Sequence, residues 1–214
     1  YHRNELAAIQ DGFKRIKEGI NGGIIVLGGA SSGKTFYTEQ IANLLKNKTT
    51  INLKPPTKQT FTVNDVHHSF QNAFNKSGTA EAILNQTNNQ HVIIIDDLEN
   101  WWVKTSNGNA AINYLAKLIE KFGGKHYFIL SSNLHSFEII KKTTEIEKQL
   151  ITTILVPPMN KLELKETLLN RHRTGGVSIF YNNQLLTESK KTEPAVGLRS
   201  PSSTLIIVVL PAPD

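Results

Sequence analysis

The sequence predicts an α/β fold built on a mainly parallel sheet. Short apolar runs of the kind that form buried strands alternate with amphipathic helical segments along the chain. One of these runs, residues 91–95, is almost wholly β-branched and lacks polar alternation, which is typical of a strand buried on both faces of a parallel sheet. A glycine-rich loop also joins the first predicted strand to a helix. With 214 residues, the chain can bury the core of one such domain.

The predicted elements follow one another in the order expected of parallel strands joined by helices. The first is an amphipathic helix over residues 3–20, in which Ile9, Phe13 and Ile16 recur three or four positions apart, and it leads into a strand over residues 24–27. The remaining predictions are a helix over 34–46, a weak strand over 50–53, two helical pieces within 64–87 that break near residue 78, a strand over 91–95, a helix over 109–122, a strand over 126–130, a helix over 136–148, a strand over 151–156 and a helix over 161–172. This alternation favours right-handed crossovers between strands.

The pattern weakens beyond residue 175. Residues 177–181 are compatible with one more strand, whereas residues 187–203 are polar, charged and contain proline. Such a composition predicts a linker or disordered tail, which we extend over residues 187–214. The apolar run 204–210 is far shorter than the roughly 20 residues that a membrane-spanning helix needs.

A glycine-rich loop follows the first predicted strand and matches the pattern G-x-x-x-x-G-K-[ST]. Its glycines let the backbone curl so that successive N–H groups converge on phosphate oxygens, and the following helix adds its positive N-terminal end. We therefore expect Lys34 to reach the β- and γ-phosphates of a nucleotide and Thr35 to bind a magnesium ion. The predicted phosphate-binding residues are Gly28, Gly29, Ala30, Ser31, Ser32, Gly33, Lys34 and Thr35.

Polar residues follow two other predicted strands. Asp96 and Asp97 come directly after the run 91–95, and Asn133 lies just beyond the run 126–130. Because ligands of open α/β sheets bind at the carboxyl ends of strands, we expect these side chains to meet beside the glycine-rich loop. Asp96 is expected to hold magnesium opposite Thr35. Asp97 is the candidate for activating water, where the longer glutamate would be a better match, and Asn133 is the candidate for positioning that water or contacting the γ-phosphate.

Together these segments resemble the AAA+ superfamily of ATPases. The sequence GGASSGKT is similar to Walker A, VIIIDD to Walker B, and YFILSSN to the strand that carries sensor 1. The acid pair and the following Leu98 look particularly like those of bacterial replication initiators, helicase loaders and the signalling STAND branch. The resemblance covers about residues 20–173.

This resemblance implies a three-layer α/β/α P-loop NTPase fold with a five-stranded sheet ordered 5-1-4-3-2. It also implies ATP with Mg²⁺ as ligands, self-association or a partner ATPase, and catalytic roles for Lys34, Asp97 and Asn133. In these terms residues 1–20 form a leading helix, residues 21–160 the ATPase core, and residues 161–186 a partial lid or extension. The helical lid is truncated, because only the helix over 161–172 is evident before the tail.

One feature of many AAA+ proteins is missing from the sequence. They carry an arginine finger between the sensor 1 strand and the last strand of the sheet, but no arginine occurs between Arg15 and Arg171. The lysines in that segment lack the bidentate fork of a guanidinium group. Arg171 and Arg173 are candidates for contacting nucleotide or a neighbouring subunit, although such a cluster also complements a helix C-terminus. Slow or partner-dependent hydrolysis is therefore expected.

Composition limits the kinds of site, the location and the partners that we expect for the protein. The chain has no cysteine, which excludes disulfides and cysteine-bearing zinc sites, and it shows no signal peptide. We expect a cytoplasmic location and no membrane span in this chain. Because the sequence starts at Tyr1, we also expect a segment of a longer product whose other parts could hold a membrane anchor or recognition domain. A formal net charge of +6 is compatible with nucleic acid as a partner. It is also compatible with a lysine-rich surface that contacts only solvent.

The sequence thus favours a domain that binds Mg-ATP and hydrolyses it to change an assembly or conformation. Three alternatives stay open at this point. A switch would bind nucleotide without appreciable hydrolysis, as the STAND resemblance suggests. A DNA-handling module would resemble initiators or loaders. A phosphoryl-transferring kinase stays open because a phosphate loop does not by itself choose the acceptor.

Overall fold

The computed structural model describes residues 3–45, 47–55, 62–102, 108–158, 161–174, 179–181 and 184–187. It divides the chain into two compact units, Tyr1–Pro158 and Met159–Asp214. The strands of the first unit are β1 (Gly23–Gly28), β2 (Thr49–Leu53), β3 (His91–Ile95), β4 (Tyr127–Asn133) and β5 (Leu150–Val156). They form one parallel sheet in the spatial order β2-β3-β4-β1-β5, which confirms the predicted order 5-1-4-3-2.

The first unit also contains six α-helices among the described residues, of which the first precedes β1 and the others lie between successive strands. They are α1 (Arg3–Lys17), α2 (Lys34–Asn43), α3 (Val63–Phe74), α4 (Ala80–Gln86), α5 (Ala110–Phe122) and α6 (Leu134–Thr143), with short 3-10 helices at Leu98–Trp101 and Ile146–Gln149. The predicted break within residues 64–87 is confirmed, because Asn75 adopts a left-handed conformation at φ 50° and ends α3. The Thr79 hydroxyl then accepts a hydrogen bond from the Ala82 N–H at 3.2 Å and caps α4.

Two hydrophobic clusters cover the two faces of the sheet. Successive residues of β1 enter opposite clusters, since Ile25 and Leu27 pack with residues of α3, α4 and α5, whereas Ile24 and Val26 pack with residues of α1 and α2. This alternation is the period of two that a strand imposes on its side chains. The arrangement confirms three layers, with helices on both sides of a sheet in which β1 is fully buried and β3 is buried except at His91.

The helix predicted over residues 136–148 has different bounds in the structure. Asn133 caps α6 at its start, since its Oδ1 accepts a hydrogen bond from the His135 N–H at 3.0 Å. The helix ends at Thr143, where the Thr144 hydroxyl donates to the Ile140 carbonyl at 2.8 Å. That carbonyl would otherwise accept the next helical N–H, so the side chain competes with the backbone and helps to end the helix.

The second unit contains α7 (Lys161–Thr174) and an antiparallel hairpin of β6 (Ile179–Tyr181) and β7 (Gln184–Thr187). The strand expected within residues 177–181 is therefore present as β6. The predicted tail starts one residue too early, because Thr187 closes β7. Residues 188–214, including the apolar run 204–210, lie outside the described residues. Within the described part of the chain, no helix is long and apolar enough to cross a bilayer.

Candidate functional site

The loop between β1 and α2 adopts a conformation that needs glycine. Gly33 lies at φ 91°, in the left-handed region, and a Cβ atom there would meet no other atom within 4 Å. Backbone conformation rather than space therefore favours glycine at this position. Ser31 also has a positive φ, 56°. These turns bring residues 28–33 back over the start of α2, whose first N–H groups have no partners within the helix.

Lys34 folds over this loop. Its Nζ atom donates a hydrogen bond to the Gly29 carbonyl at 3.0 Å, and the residue is buried. A buried ammonium group next to the N-terminus of α2 concentrates positive charge where an anion would bind.

Gly28 and Ser32 make close contact at the base of the loop. A Cβ atom on Gly28 would lie 3.0 Å from the Val156 carbonyl oxygen and would also collide with the Ser32 side chain, so glycine allows the loop to rest against β5. The Ser32 hydroxyl is buried and has no hydrogen-bond partner among the described residues. The loop thus combines exposed residues at Gly29, Ala30 and Ser31 with a polar group held inside it.

Thr35 lies on α2, which follows β1, and Asp96 follows β3, so the two residues meet although β4 separates these strands. The Thr35 hydroxyl donates to Asp96 Oδ2 at 2.8 Å, and the Ser131 hydroxyl donates to Asp96 Oδ1. Both carboxylate oxygens are therefore fixed. A hydroxyl and a carboxylate in contact are the oxygen ligands that Mg²⁺ prefers in proteins, so the donor set fits the predicted metal ligands Thr35 and Asp96.

Asp97 lies next to this pair in a left-handed conformation at φ 50°, and its N–H donates to the Ser131 hydroxyl at 2.9 Å. Burial raises the pKa of the Asp97 carboxyl, and the charges of Asp96 and Glu99 raise it further, against the opposing effect of Lys34. A raised pKa makes this carboxylate a stronger proton acceptor. Asp96 and Asp97 line a cleft of about 280 Å³ that also includes Thr35.

Asn133 stands at the end of β4 with its side-chain oxygen in use. Because Oδ1 accepts the hydrogen bond that caps α6, the amide Nδ2 remains as the group that can donate to a ligand. The sequence predicts that Asn133 positions water or contacts the γ-phosphate, and in the structure its acceptor is already taken by the helix cap.

Three further residues, Glu99, Ser131 and Ser132, belong to this site and were missed by sequence reasoning. Glu99 accepts hydrogen bonds from the Asn133 N–H, at 3.0 and 3.1 Å to its two oxygens, and from the Ser132 hydroxyl at 2.8 Å. Ser131 joins Asp96 to the Asp97 backbone. Two signals were available: serines follow directly on an apolar strand, and Leu98 and Trp101 are spaced to anchor a helical turn with Glu99 on another side.

The roles expected for Arg171 and Arg173 stay predictions. Arg171 and Arg173 belong to α7 in the second unit, and their side chains are outside the described residues. Trp101 is wholly buried, and the Trp102 Nε1 donates to Asn109 Oδ1 at 2.8 Å. Trp101 therefore belongs to the larger hydrophobic cluster, and Trp102 packs against it.

Solved structures of other proteins share this fold. The Aeropyrum pernix ORC2 protein, in its ADPNP-ADP complexes, matches 79% of this chain with a TM-score of 0.57 and 14% identity, over 50% of that chain. The Walker-type ATPase paby2304 of Pyrococcus abyssi matches 81% of this chain with a TM-score of 0.54 and 13% identity, over 58% of that chain. The Aeropyrum pernix ORC1 protein in complex with DNA matches 79% with a TM-score of 0.55 and 11% identity, over 49% of that chain.

These similarities show that the chain shares the fold of these solved proteins, which include a Walker-type ATPase. The chain spans about half the length of the solved chains it matches. No protein-family model and no curated protein sequence matches it.

Proposed function

We propose that this chain binds Mg-ATP and hydrolyses it to drive a conformational or assembly change, with residues 21–160 as the ATPase core and residues 161–186 as a partial lid. One observation carries the proposal: Thr35, Asp96, Ser131 and Asp97 form a continuous hydrogen-bonded network beside the loop that Lys34 covers. The fold supports it, because a structure with the same fold was solved with ADPNP and ADP.

In this proposal the loop of residues 28–35 holds the phosphates. Its backbone N–H groups and the N-terminus of α2 donate to phosphate oxygens. Lys34 exchanges its hydrogen bond with the Gly29 carbonyl for one with the β- or γ-phosphate. Thr35 and Asp96 hold Mg²⁺, which when bound neutralises charge on the phosphates.

Asp97 and Asn133 act on the attacking water. The Asp97 carboxylate, with its raised pKa, accepts a proton from a water in the adjoining cleft. Asn133 donates from Nδ2 to that water or to the γ-phosphate. The two groups are held by a common framework, because Ser131 fixes the Asp97 backbone and Asn133 lies two residues farther along β4.

The experiment that tests this proposal compares ATP binding with ATP turnover. Lys34→Ala should weaken binding of a non-hydrolysable ATP analogue by about 10–100-fold, since it removes a charge-assisted hydrogen bond. Asp97→Asn should keep that affinity and lower steady-state phosphate release by about 10²–10⁴-fold, the range for loss of a general base. Calorimetry and a phosphate-release assay supply the two readouts.

Exposed residues on α1 provide matched controls. Lys17→Ala and Asp11→Asn make the same chemical changes away from the loop and should alter neither readout. Unchanged affinity in Lys34→Ala would overturn the phosphate site, and retained turnover in Asp97→Asn would remove that residue from the mechanism.

Two other functions have a specific observation in their favour. Asp97 is one methylene shorter than the glutamate that best suits water activation, which favours a nucleotide-dependent switch without appreciable hydrolysis. Analogue binding without phosphate release would select the switch.

The net charge of +6 favours a DNA-handling module, as does the fold shared with ORC1 in complex with DNA. DNA affinity that falls steeply with salt would support that function.

A further inference from the structure

Glu99 ties residues 96–99, which we call the acid loop, to the end of the neighbouring strand β4. Its two carboxylate oxygens take donors from two successive residues of β4, the Ser132 hydroxyl and the Asn133 N–H. The Asp97 N–H adds a third connection through the Ser131 hydroxyl. Each of residues 131–133 is therefore hydrogen-bonded to the segment 96–99.

The local structure around Glu99 fixes where its side chain lies. Asp97 turns the chain through a left-handed conformation into the 3-10 helix Leu98–Trp101. Leu98 and Trp101 are both fully buried in the larger hydrophobic cluster. Because residues three apart share one face of a 3-10 helix, these two anchors leave Glu99 on another face, where it meets β4.

The residue that Glu99 contacts, Asn133, is also the residue that caps α6. Glu99 orients the peptide between Ser132 and Asn133, and the Asn133 side chain caps α6 through the His135 N–H. Two hydrogen-bonded steps therefore connect residues 96–99 to the first turn of α6.

We propose that Glu99 is a positioning residue that holds the Ser132–Asn133 peptide, and that through this hold the state of the phosphate site is passed to α6. The inference rests on the proposed nucleotide binding. It assigns to Glu99 a geometric role, distinct from the metal-binding role of Asp96 and the proton-accepting role of Asp97.

Two conservative variants separate geometry from charge. Glu99→Gln loses the charge but keeps the length and one oxygen that accepts the Asn133 N–H. Glu99→Asp keeps the charge but is one methylene too short for both contacts. A positioning role predicts that Gln preserves the behaviour and Asp loses it, whereas a purely electrostatic role predicts the reverse. Glu120→Gln, on an exposed glutamate of α5, is the matched control.

The experiment follows amide hydrogen exchange by mass spectrometry in peptides that cover residues 28–35 and 131–138. Without nucleotide, Glu99→Asp should speed exchange at Asn133 and in the first turn of α6 by about tenfold, while Glu99→Gln and Glu120→Gln should stay within about twofold of the unchanged chain. Equal exchange in Glu99→Asp and the unchanged chain would overturn the proposed hold on the peptide.

The nucleotide arm adds a non-hydrolysable ATP analogue with Mg²⁺. In the unchanged chain, exchange should slow both in the loop and in α6. In Glu99→Asp, the loop should still respond and α6 should not. A response of α6 that persists in Glu99→Asp would overturn the inference alone. Absence of any response or binding in the unchanged chain would instead overturn the proposed function, and the coupling with it.

Discussion

Ser131 supports the candidate site from within β4, and Ser131→Ala tests how much. Its hydroxyl is fully buried, donates to Asp96 Oδ1 and accepts from the Asp97 N–H at 2.9 Å. The substitution keeps the Cβ atom, so it removes two hydrogen bonds without opening a large cavity. A hydrogen bond to a charged group contributes about 1.5–3 kcal/mol, and an unpaired buried N–H costs about 1–3 kcal/mol. Because Asp96 keeps its Thr35 contact and is only half-buried, we expect a loss of about 2–4 kcal/mol in the free energy of unfolding.

Urea unfolding followed by tryptophan fluorescence measures this loss. The chain has two tryptophans, Trp101 and Trp102, and both belong to the first unit, so the signal reports the unfolding of that unit. With a denaturant slope of about 2 kcal/mol/M, the midpoint of unfolding should fall by about 1–2 M.

A serine on α6 provides the comparison. Ser136 is only partly buried, and Ser136→Ala should change the free energy of unfolding by no more than about 0.5 kcal/mol. If Ser131→Ala unfolded at the same midpoint as Ser136→Ala, the hydroxyl would not stabilise the acid loop, and our reasoning about the network would be refuted.

Two further predictions concern stability away from the phosphate loop. Burial lowers the pKa of His126 from 6.5 to about 4, and its Nδ1 atom accepts from the His91 N–H at 3.3 Å. Neutral His126 therefore stabilises the fold fully above pH 6.5. As the pH falls from 6.5 towards 4, the free energy of unfolding should decrease by about 3 kcal/mol. Urea midpoints between pH 4 and 7 should fall less in His126→Gln, and parallel slopes would contradict this. Asp65→Ala removes the carboxylate that accepts from the Thr62 N–H and hydroxyl at 2.8 and 2.9 Å, and should lower the free energy of unfolding by about 1 kcal/mol in urea titrations. A change below about 0.3 kcal/mol would show that this cap is unimportant.

The strands of the sheet could be predicted from the sequence because they are short apolar runs. The run 91–95 is apolar and β-branched, and in the structure Val92, Ile93, Ile94 and Ile95 are all buried. The glycine-rich loop fixed which strand precedes α2. Resemblance then supplied the strand order, which no local pattern contains.

The residues of the candidate site could be named from the sequence only where they belong to the glycine-rich motif or lie at strand ends. Asp96 and Asp97 follow β3 directly, and topology brings them to Thr35. Glu99 was missed because its partners are separated from it by more than 30 positions along the chain. Ser131 was missed because a serine within a strand gives no indication of a partner until the neighbouring strand is known. Their contacts are tertiary, so the local signals at Ser131 and Glu99 could mark these residues but could not reveal their partners.

The bounds of α6 differ for a similar reason. Apolar periodicity alone does not reveal that Asn133 caps the helix or that the Thr144 hydroxyl takes the Ile140 carbonyl. These are competitions between side chain and backbone, and they are decided by a single hydrogen bond at each end.

The position of α1 bears on how fragments of this protein behave. Ile9, Phe13 and Ile16 of this helix are buried against the sheet, where they cover Ile24 and Val26. A fragment that begins at residue 22 would keep the whole phosphate loop and every residue proposed for catalysis. It would nevertheless present this apolar face to water, and such surfaces promote aggregation. Any shortened version intended for crystallisation or ligand screening therefore has to begin before α1.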